Sequence, residues 1–525
     1  MLSPSSYYNA LYSLAFSYLA FNETFSTAPV VDLGYARYQG IIDPVSNNIN
    51  FLGIQYAAGP MGNLRFSAPS PPPFVDGIQI ADRQPNRCIP GNAATSPDYF
   101  IRFGPRSPVP KRTGVGSFSE DCLYLKCRIY SQGVDPDTEL LPTVVFLHGG
   151  AYAIGGTTGL FGDAPFDGND LVQESGNGVV AVVLQYRLGI LGFLAGQSVK
   201  DDGALNAGLQ HIHKFGGDPK RVTIWGQSAG ASSSVMHVIA NDGRTDPPLF
   251  RAAMLTSLPA IPMFKYNSQI PSCSSSSNAL ECLRSAPVED LEAANYYIGA
   301  SGEFGGFNFK PVIDGSFITQ RPLEAFKDGK FNTKHILAIT NSNEGMIFEI
   351  VKQLFPEMST TYVDAAAAKY PSKDEYSLIG VKLYSEAIFV CPSYHLLRHL
   401  PKTGYKGKFS IPPGFHGVEM DYFFPSTNPS GVPPHLNSTF QKAFANAFLD
   451  FAMNLNPNVK WENTMLPEWN PWVPDVLADS PEEGQAEMVF SMSDDGQPRI
   501  DMRRTDEGLD ERCRFWESID DEMGG

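Results

Sequence analysis

Apolar residues along this chain fall into short continuous runs rather than long helical stripes. NFLGIQY (50–56), TVVFL (143–147), VVAVVLQ (179–185), RVTIW (221–225) and HILAIT (335–340) are rich in β-branched and aromatic residues. Several are apolar at nearly every position, the pattern of strands buried on both faces. Helical patterns follow several of them. This alternation predicts an α/β fold: a mostly parallel central sheet covered by helices on both faces, with functional groups gathered at the carboxyl ends of the strands. No repeat, linker or low-complexity segment divides the chain, so residues 29–525 are expected to form one domain behind a signal-like N-terminal segment, 1–28.

The densest chemical signal follows the fourth run. In RVTIWGQSAGASSSVMHVIA (221–240) a β-prone stretch meets a helical one at Ser228, and Gly226, Ala229 and Gly230 supply the small neighbours that a sharp strand-to-helix turn needs. This is the G-x-S-x-G pattern, which presents a serine hydroxyl at the edge of a sheet. Upstream, LHGGAYAIGG places glycines directly after TVVFL, where exposed backbone N–H groups could face a developing oxyanion.

A serine nucleophile needs a base, and in such folds the partners follow in the order serine, acid, histidine. His416 in PPGFHGVEM sits in a glycine-flanked loop able to reach another loop. His335 precedes any plausible acid-bearing loop, and His435 lies in a Pro-rich stretch. His395 and His399 have helical metal-ligand spacing without a carboxylate partner, which favours a surface or capping role. For the acid, Glu344 in LAITNSNEG and Asp314 in KPVIDG both end strand-like runs, and the residues alone barely separate them.

Composition narrows the partners. A formal charge of -17 argues against nucleic acid and anionic membrane surfaces. No apolar run reaches the length of a membrane span. The seven cysteines lack metal-site spacing; Cys273 and Cys282 flank a short Ser-rich loop that a disulfide closes easily, and the odd total leaves at least one free thiol. Sequons at Asn22 and Asn437 suit glycosylation in an oxidising, extracellular setting. The stretch LYSLAFSYLAF (11–21) resembles a signal core, but lacks a basic flank and a clean cleavage site.

Taken in order, NFLGIQYAAGPMGNLRF (50–66), SEDCLYL (119–125), HGGAY, QYRLGILGFL (185–194), FGGDPKRVTIWGQSAGASS, NSNEG, GFHGVE and RCRFW (512–516) resemble the type-B carboxylesterase/lipase family, the cholinesterase-like branch of the α/β hydrolases. The resemblance spans nearly the whole chain. It implies Ser228 as nucleophile, His416 as general base and then acid, and Glu344 as the group that orients the imidazole. It also implies oxyanion donors at the N–H groups of Gly150, Ala151 and Ala229, with Ala151 where the family often has a third glycine. The implied disulfides are Cys88–Cys122, Cys273–Cys282 and Cys391–Cys513, leaving Cys127 free; no cofactor or metal is implied.

Departures sharpen the expectation. Residues 89–121 hold no tryptophan, and Gln227 stands where cholinesterases carry a glutamate, so choline esters are poor candidate substrates. Between Asn206 and Phe215 the family has several more helical turns, about eleven residues. That absence predicts either a genuine shortening or a mis-spliced gene model. The expected function is hydrolysis of a small or medium carboxylic ester through an acyl-enzyme. The alternatives are a triacylglycerol lipase, an esterase tailoring a secondary metabolite and, from another class, a non-catalytic binding or adhesion member of the family.

Overall fold

The computed structural model describes residues 29–92, 117–130, 139–159, 166–203, 205, 217–260, 263, 279–300, 308–347, 360–370, 376–427, 437–478 and 484–523. The signal-like segment with Asn22, the cysteine Cys273, His435 and the shortened stretch from Asn206 to Phe215 lie outside the described residues.

An eleven-stranded sheet organises the chain. Its strands are β1 (Ile41–Ile42), β2 (Asn48–Gln55), β3 (Tyr124–Tyr130), β4 (Leu141–Leu147), β5 (Val180–Leu184), β6 (Gly217–Gln227), β7 (Ala252–Thr256), β8 (His335–Asn341), β9 (Gly404–Phe409), β10 (Ala486–Met492) and β11 (Pro498–Arg504). Their spatial order is β11-β10-β9-β8-β7-β6-β4-β5-β3-β2-β1. Strands β10 through β5 run parallel, and antiparallel partners close each end.

The continuous apolar runs are indeed buried on both faces. In β4, Val145 and Leu147 join one core while Val144 and Phe146 join the other, and β5, β6, β7 and β8 divide in the same way. One face carries helix α1 (Ala229–Gly243), helix α2 (Tyr376–Tyr384) and helix α3 (Cys391–Arg398), with helix α5 (Glu507–Ser518) packed on α3. The other carries helix α4 (Ser438–Asn454), whose Phe440, Phe444, Phe448 and Phe451 recur at helical spacing and are fully buried. Asn437 begins α4: its side-chain oxygen accepts from the N–H groups of Thr439 (3.0 Å) and Phe440 (3.1 Å).

Winding reverses at β4, which lies between β6 and β5. Such a reversal leaves a crevice beyond the carboxyl ends of the strands. Ser228 follows β6, the His148–Tyr152 loop follows β4, Glu344 follows β8 and His416 follows β9, so every proposed chemical group emerges at one edge of the sheet.

Cys88 is bonded to Cys122 and Cys391 to Cys513. Cys282 is also disulfide-bonded. Cys127 is a free, fully buried thiol on β3, and burial pushes its pKa up to about 12. No helix among the described residues is long and apolar enough to cross a membrane.

Candidate active site

The turn at Ser228 is sterically compelled. Ser228 adopts φ 54°, ψ −124°, a conformation that costs a non-glycine residue about 1–3 kcal/mol. Its surroundings hold it there. The Ser228 N–H donates to the Thr256 carbonyl at 2.9 Å, the Thr256 hydroxyl donates to the Gly226 carbonyl at 2.9 Å, and the Trp225 indole N–H donates to the Thr256 hydroxyl at 2.8 Å. A Cβ on Gly226 would lie 2.0 Å from the Gly230 carbonyl oxygen, and one on Gly230 would lie 2.0 Å from the Leu147 carbonyl oxygen. Both glycines of the motif are therefore required by backbone contact. Ser228 keeps 9 % of its surface exposed.

Beside this turn runs the loop after β4. Gly150, Ala151 and Tyr152 have φ of 105°, 53° and 63°, so Ala151 takes a glycine-like conformation despite its side chain. A Cβ on Gly149 would fall 3.0 Å from Ser228 Cβ, which brings the loop against the serine. His148 is fixed behind it: its ring stacks on Tyr186 with centroids 4.3 Å apart, its Nδ1 lies 2.7 Å from the Gly149 carbonyl oxygen, and burial lowers its pKa to about 4. Ala229 opens α1, so its N–H belongs to the first turn, whose donors lack intrahelical acceptors.

Glu344 and His416 meet across 72 residues. His416 Nδ1 lies 2.6 Å from Glu344 Oε2, and Glu344 is fully buried. The two loops are stitched by backbone: the Asn343 N–H donates to the Gly414 carbonyl at 2.9 Å, and the Asn343 side chain donates to the Pro413 carbonyl at 2.7 Å. The other carboxylate oxygen of Glu344 accepts from the Asn341 N–H at 2.6 Å. His416 Nε2 faces the Ser228 turn, 3.5 Å from the side-chain nitrogen of Gln227, the residue before Ser228.

Asp314, the competing acid, is used elsewhere: its Oδ1 accepts from the N–H groups of Ser316, Phe317 and Ile318, closing a turn. His395 corrects the expectation of a surface or capping role. It is buried because α3 is covered by α5, its Nε2 lies 2.8 Å from the Cys513 carbonyl oxygen, and desolvation lowers its pKa to about 4. His399 pairs with Glu517 at 3.2 Å, and His335 begins β8 away from the crevice. Among the described residues no cluster of His, Cys, Asp or Glu suits a metal.

Sequence reasoning missed a second buried carboxyl. Glu419 accepts from the Ser257 hydroxyl at 3.2 Å and from the Asn341 side-chain amide at 2.5 Å, so Asn341 joins both glutamates. Burial, and then the charge of Glu344, raise the Glu419 pKa to about 7. The only local hint was its place three residues after His416 in GFHGVE.

Against known proteins, the model of the carboxylesterase family matches residues 27–379, more than half of the chain. The chain is 28 % identical to carboxylesterase patB of Penicillium expansum, over 94 % of this chain and 96 % of that one. It is 27 % identical to a secreted lipase of Arthroderma benhamiae, over 82 % and 87 % respectively. Among solved structures it superposes on Aspergillus niger EstA with a TM-score of 0.77 and 27 % identity, covering 95 % of this chain and 99 % of that one. The strained serine turn, the paired loops beyond β8 and β9 and these matches agree: the chain belongs to the carboxylesterase family.

Proposed function

We propose that this carboxylesterase-family hydrolase cleaves a small or medium carboxylic ester through an acyl-enzyme on Ser228. The reading is carried by the 2.6 Å pairing of His416 Nδ1 with Glu344 at the sheet edge where the Ser228 turn emerges. A proton on Nδ1, held by Glu344, leaves Nε2 as the base. His416 Nε2 takes the proton of Ser228 Oγ as Oγ attacks the ester carbonyl. The N–H groups of Gly150, Ala151 and Ala229 receive the oxyanion, each such donor being worth about 3–4 kcal/mol in the transition state. Collapse releases the alcohol, protonated by His416. Water then repeats the sequence on the acyl-enzyme and frees the acid. Glu344 orients the imidazole and stabilises the imidazolium.

Secretion is part of the proposal, supported by the disulfides and by the similarity to a secreted lipase. That same relative favours triacylglycerol hydrolysis as the second reading. The near full-length similarity to a carboxylesterase favours the first, including a role in tailoring a secondary metabolite. A panel of p-nitrophenyl esters of rising chain length, with emulsified triacylglycerol as the last member, separates them. We expect kcat/KM to peak at short or medium acyl chains without a jump at the emulsion boundary. A jump there would replace the esterase reading with the lipase one, and inactivity on every ester would favour a binding role.

A further inference from the structure

Between α2 and α3 the helix changes type. Pro392 has no N–H to donate, and its ring crowds the carbonyl four residues earlier, that of Ile388. The chain widens into a π-helical turn over Ser385–Val390, in which the Cys391 N–H donates to Glu386, five residues back. Such turns are rare and concentrate at functional sites.

This one faces the paired loops at both its ends. The Ser385 hydroxyl oxygen accepts from the N–H of Gly345, the residue after Glu344, at 2.7 Å. A Cβ on Gly345 would lie 2.4 Å from the Val381 carbonyl oxygen and 2.7 Å from Ser385 Oγ, so the acid loop rests on the helix with no room for a side chain. One turn on, the Phe389 ring packs on the His416 imidazole, centroids 4.4 Å apart and planes inclined at 46°. The Ile388 carbonyl, which Pro392 cannot satisfy, accepts from the Ala260 N–H at 2.5 Å, in the segment that follows β7. The outer side of the turn is anchored as firmly. Glu386 accepts from Arg512 Nε (2.6 Å) and Nη2 (2.8 Å) and from the Tyr370 hydroxyl (2.9 Å), and Cys391 is bonded to Cys513, the neighbour of Arg512.

We infer that the π-helical turn Ser385–Val390 is a positioning element for the acid–base pair, with Ser385 holding the Glu344 loop and Phe389 holding the His416 ring. The inference rests on the roles proposed above for Glu344 and His416. It adds that their mutual geometry is set from a third element, anchored to α5 by a disulfide and an ion pair. Neither Ser385 nor Phe389 is a catalytic residue; each acts through the group it holds.

The experiment uses the full chain with Ser385→Ala, Ser385→Thr and Phe389→Leu, and Leu449→Ala in the opposite core as a stability control. A displacement of about 1 Å costs up to about a hundredfold, so Ser385→Ala and Phe389→Leu are each expected to lower kcat by about tenfold or more, with KM within about twofold. Ser385→Thr keeps a hydroxyl and should recover most of the loss. The low-field proton resonance of the His416 Nδ1–H bonded to Glu344 should shift or broaden in the first two variants and stay in place in Leu449→Ala. Wild-type kcat and an unmoved resonance in either folded variant would overturn its half of the inference, and in both the whole. So would kcat losses no larger than those of Leu449→Ala at an equal loss of Tm. Should one variant fail to fold, the other decides. A parallel Ser228→Ala separates the two levels: if that variant is active, the site reading fails, whereas an inactive Ser228→Ala with wild-type π-turn variants removes the positioning role alone.

Discussion

The two halves of the site are held in place by opposite means. The Ser228 turn is a backbone construction: Gly226 and Gly230 abut main-chain carbonyls at distances no side chain could survive, and the neighbouring loop is held by the stacking of His148 on Tyr186. The acid–base half is a side-chain construction. Glu344, His416, Asn341, Ser257 and Glu419 reach one another from the carboxyl ends of β7, β8 and β9 or beyond and depend on side-chain hydrogen bonds. The first half should break by steric intrusion, whatever the pH; the second by loss of charge or donor, with pH as a lever.

The largest expected effect lies in the second half. Removing one member of a triad that acts as a unit costs as much as about 10⁶-fold in kcat, and the acid alone costs less, about 10⁴-fold. His416→Ala should therefore approach the lower limit of detection in kcat, and Glu344→Gln should retain measurable turnover, both with Tm changed little. Equal activity in Glu344→Gln and wild type would remove Glu344 from the site.

Gly230→Ala probes the first half. The new methyl group meets the Leu147 carbonyl oxygen at 2.0 Å and the His148 carbonyl oxygen at 2.8 Å, both backbone, so only a shift of α1 or β4 relieves it. Overpacking of this kind costs about 1–3 kcal/mol or more. Thermal unfolding should show that loss equally at pH 5 and pH 8. A fully stable, active variant would mean that the turn is looser than its geometry implies.

The smallest effect is the most discriminating. Glu419 has its pKa raised from 4.5 to about 7, with Glu344, His416, Asn341 and Ser257 facing it. The folded state thus holds a proton that the unfolded chain gives up near pH 4.5. Its stabilising contribution is complete below that pH and is lost as pH rises through 7. Asp170 and Asp450, whose pKa values burial also raises to about 7, act in the same direction. Glu419→Gln should flatten the decline of Tm between pH 5 and pH 8 without abolishing it. An unchanged slope would show that Glu419 is ionised in the fold throughout.

This contrast also explains what could be read in the sequence. The small residues that the Ser228 turn requires lie within two positions of it, so a local pattern reveals it although Thr256 and Leu147 complete it from neighbouring strands. The strands with continuous apolar runs were legible for the same reason. Strand β9, GYKGKF, was not, because it carries a buried lysine: Lys406 donates to the Thr340 hydroxyl at 2.8 Å and the Gly407 carbonyl at 2.6 Å and lies over the Tyr394 ring, so tertiary partners compensate a residue that ordinarily signals solvent. Lys126 hides β3 in the same way, donating to the Thr157 carbonyl at 2.6 Å. Glu344 and Asp314 look alike in the sequence, since both end strand-like runs and only their partners distinguish an acid that meets His416 from one that closes its own turn. Glu419 and the π-helical turn were not legible because what they touch, Asn341 and Ser257 for the one and Gly345 and His416 for the other, is set by the fold.

Everything proposed here depends on Ser228 being the nucleophile that His416 activates. The most direct measurement of that role is stoichiometric labelling of the full chain with a fluorophosphonate, followed by peptide mapping and by the pre-steady-state burst on a p-nitrophenyl ester. One phosphonyl group per chain is expected on Ser228, with a burst of about one equivalent of p-nitrophenol, and both should be absent in Ser228→Ala. Label on another residue, or a burst that persists in Ser228→Ala, would contradict that role.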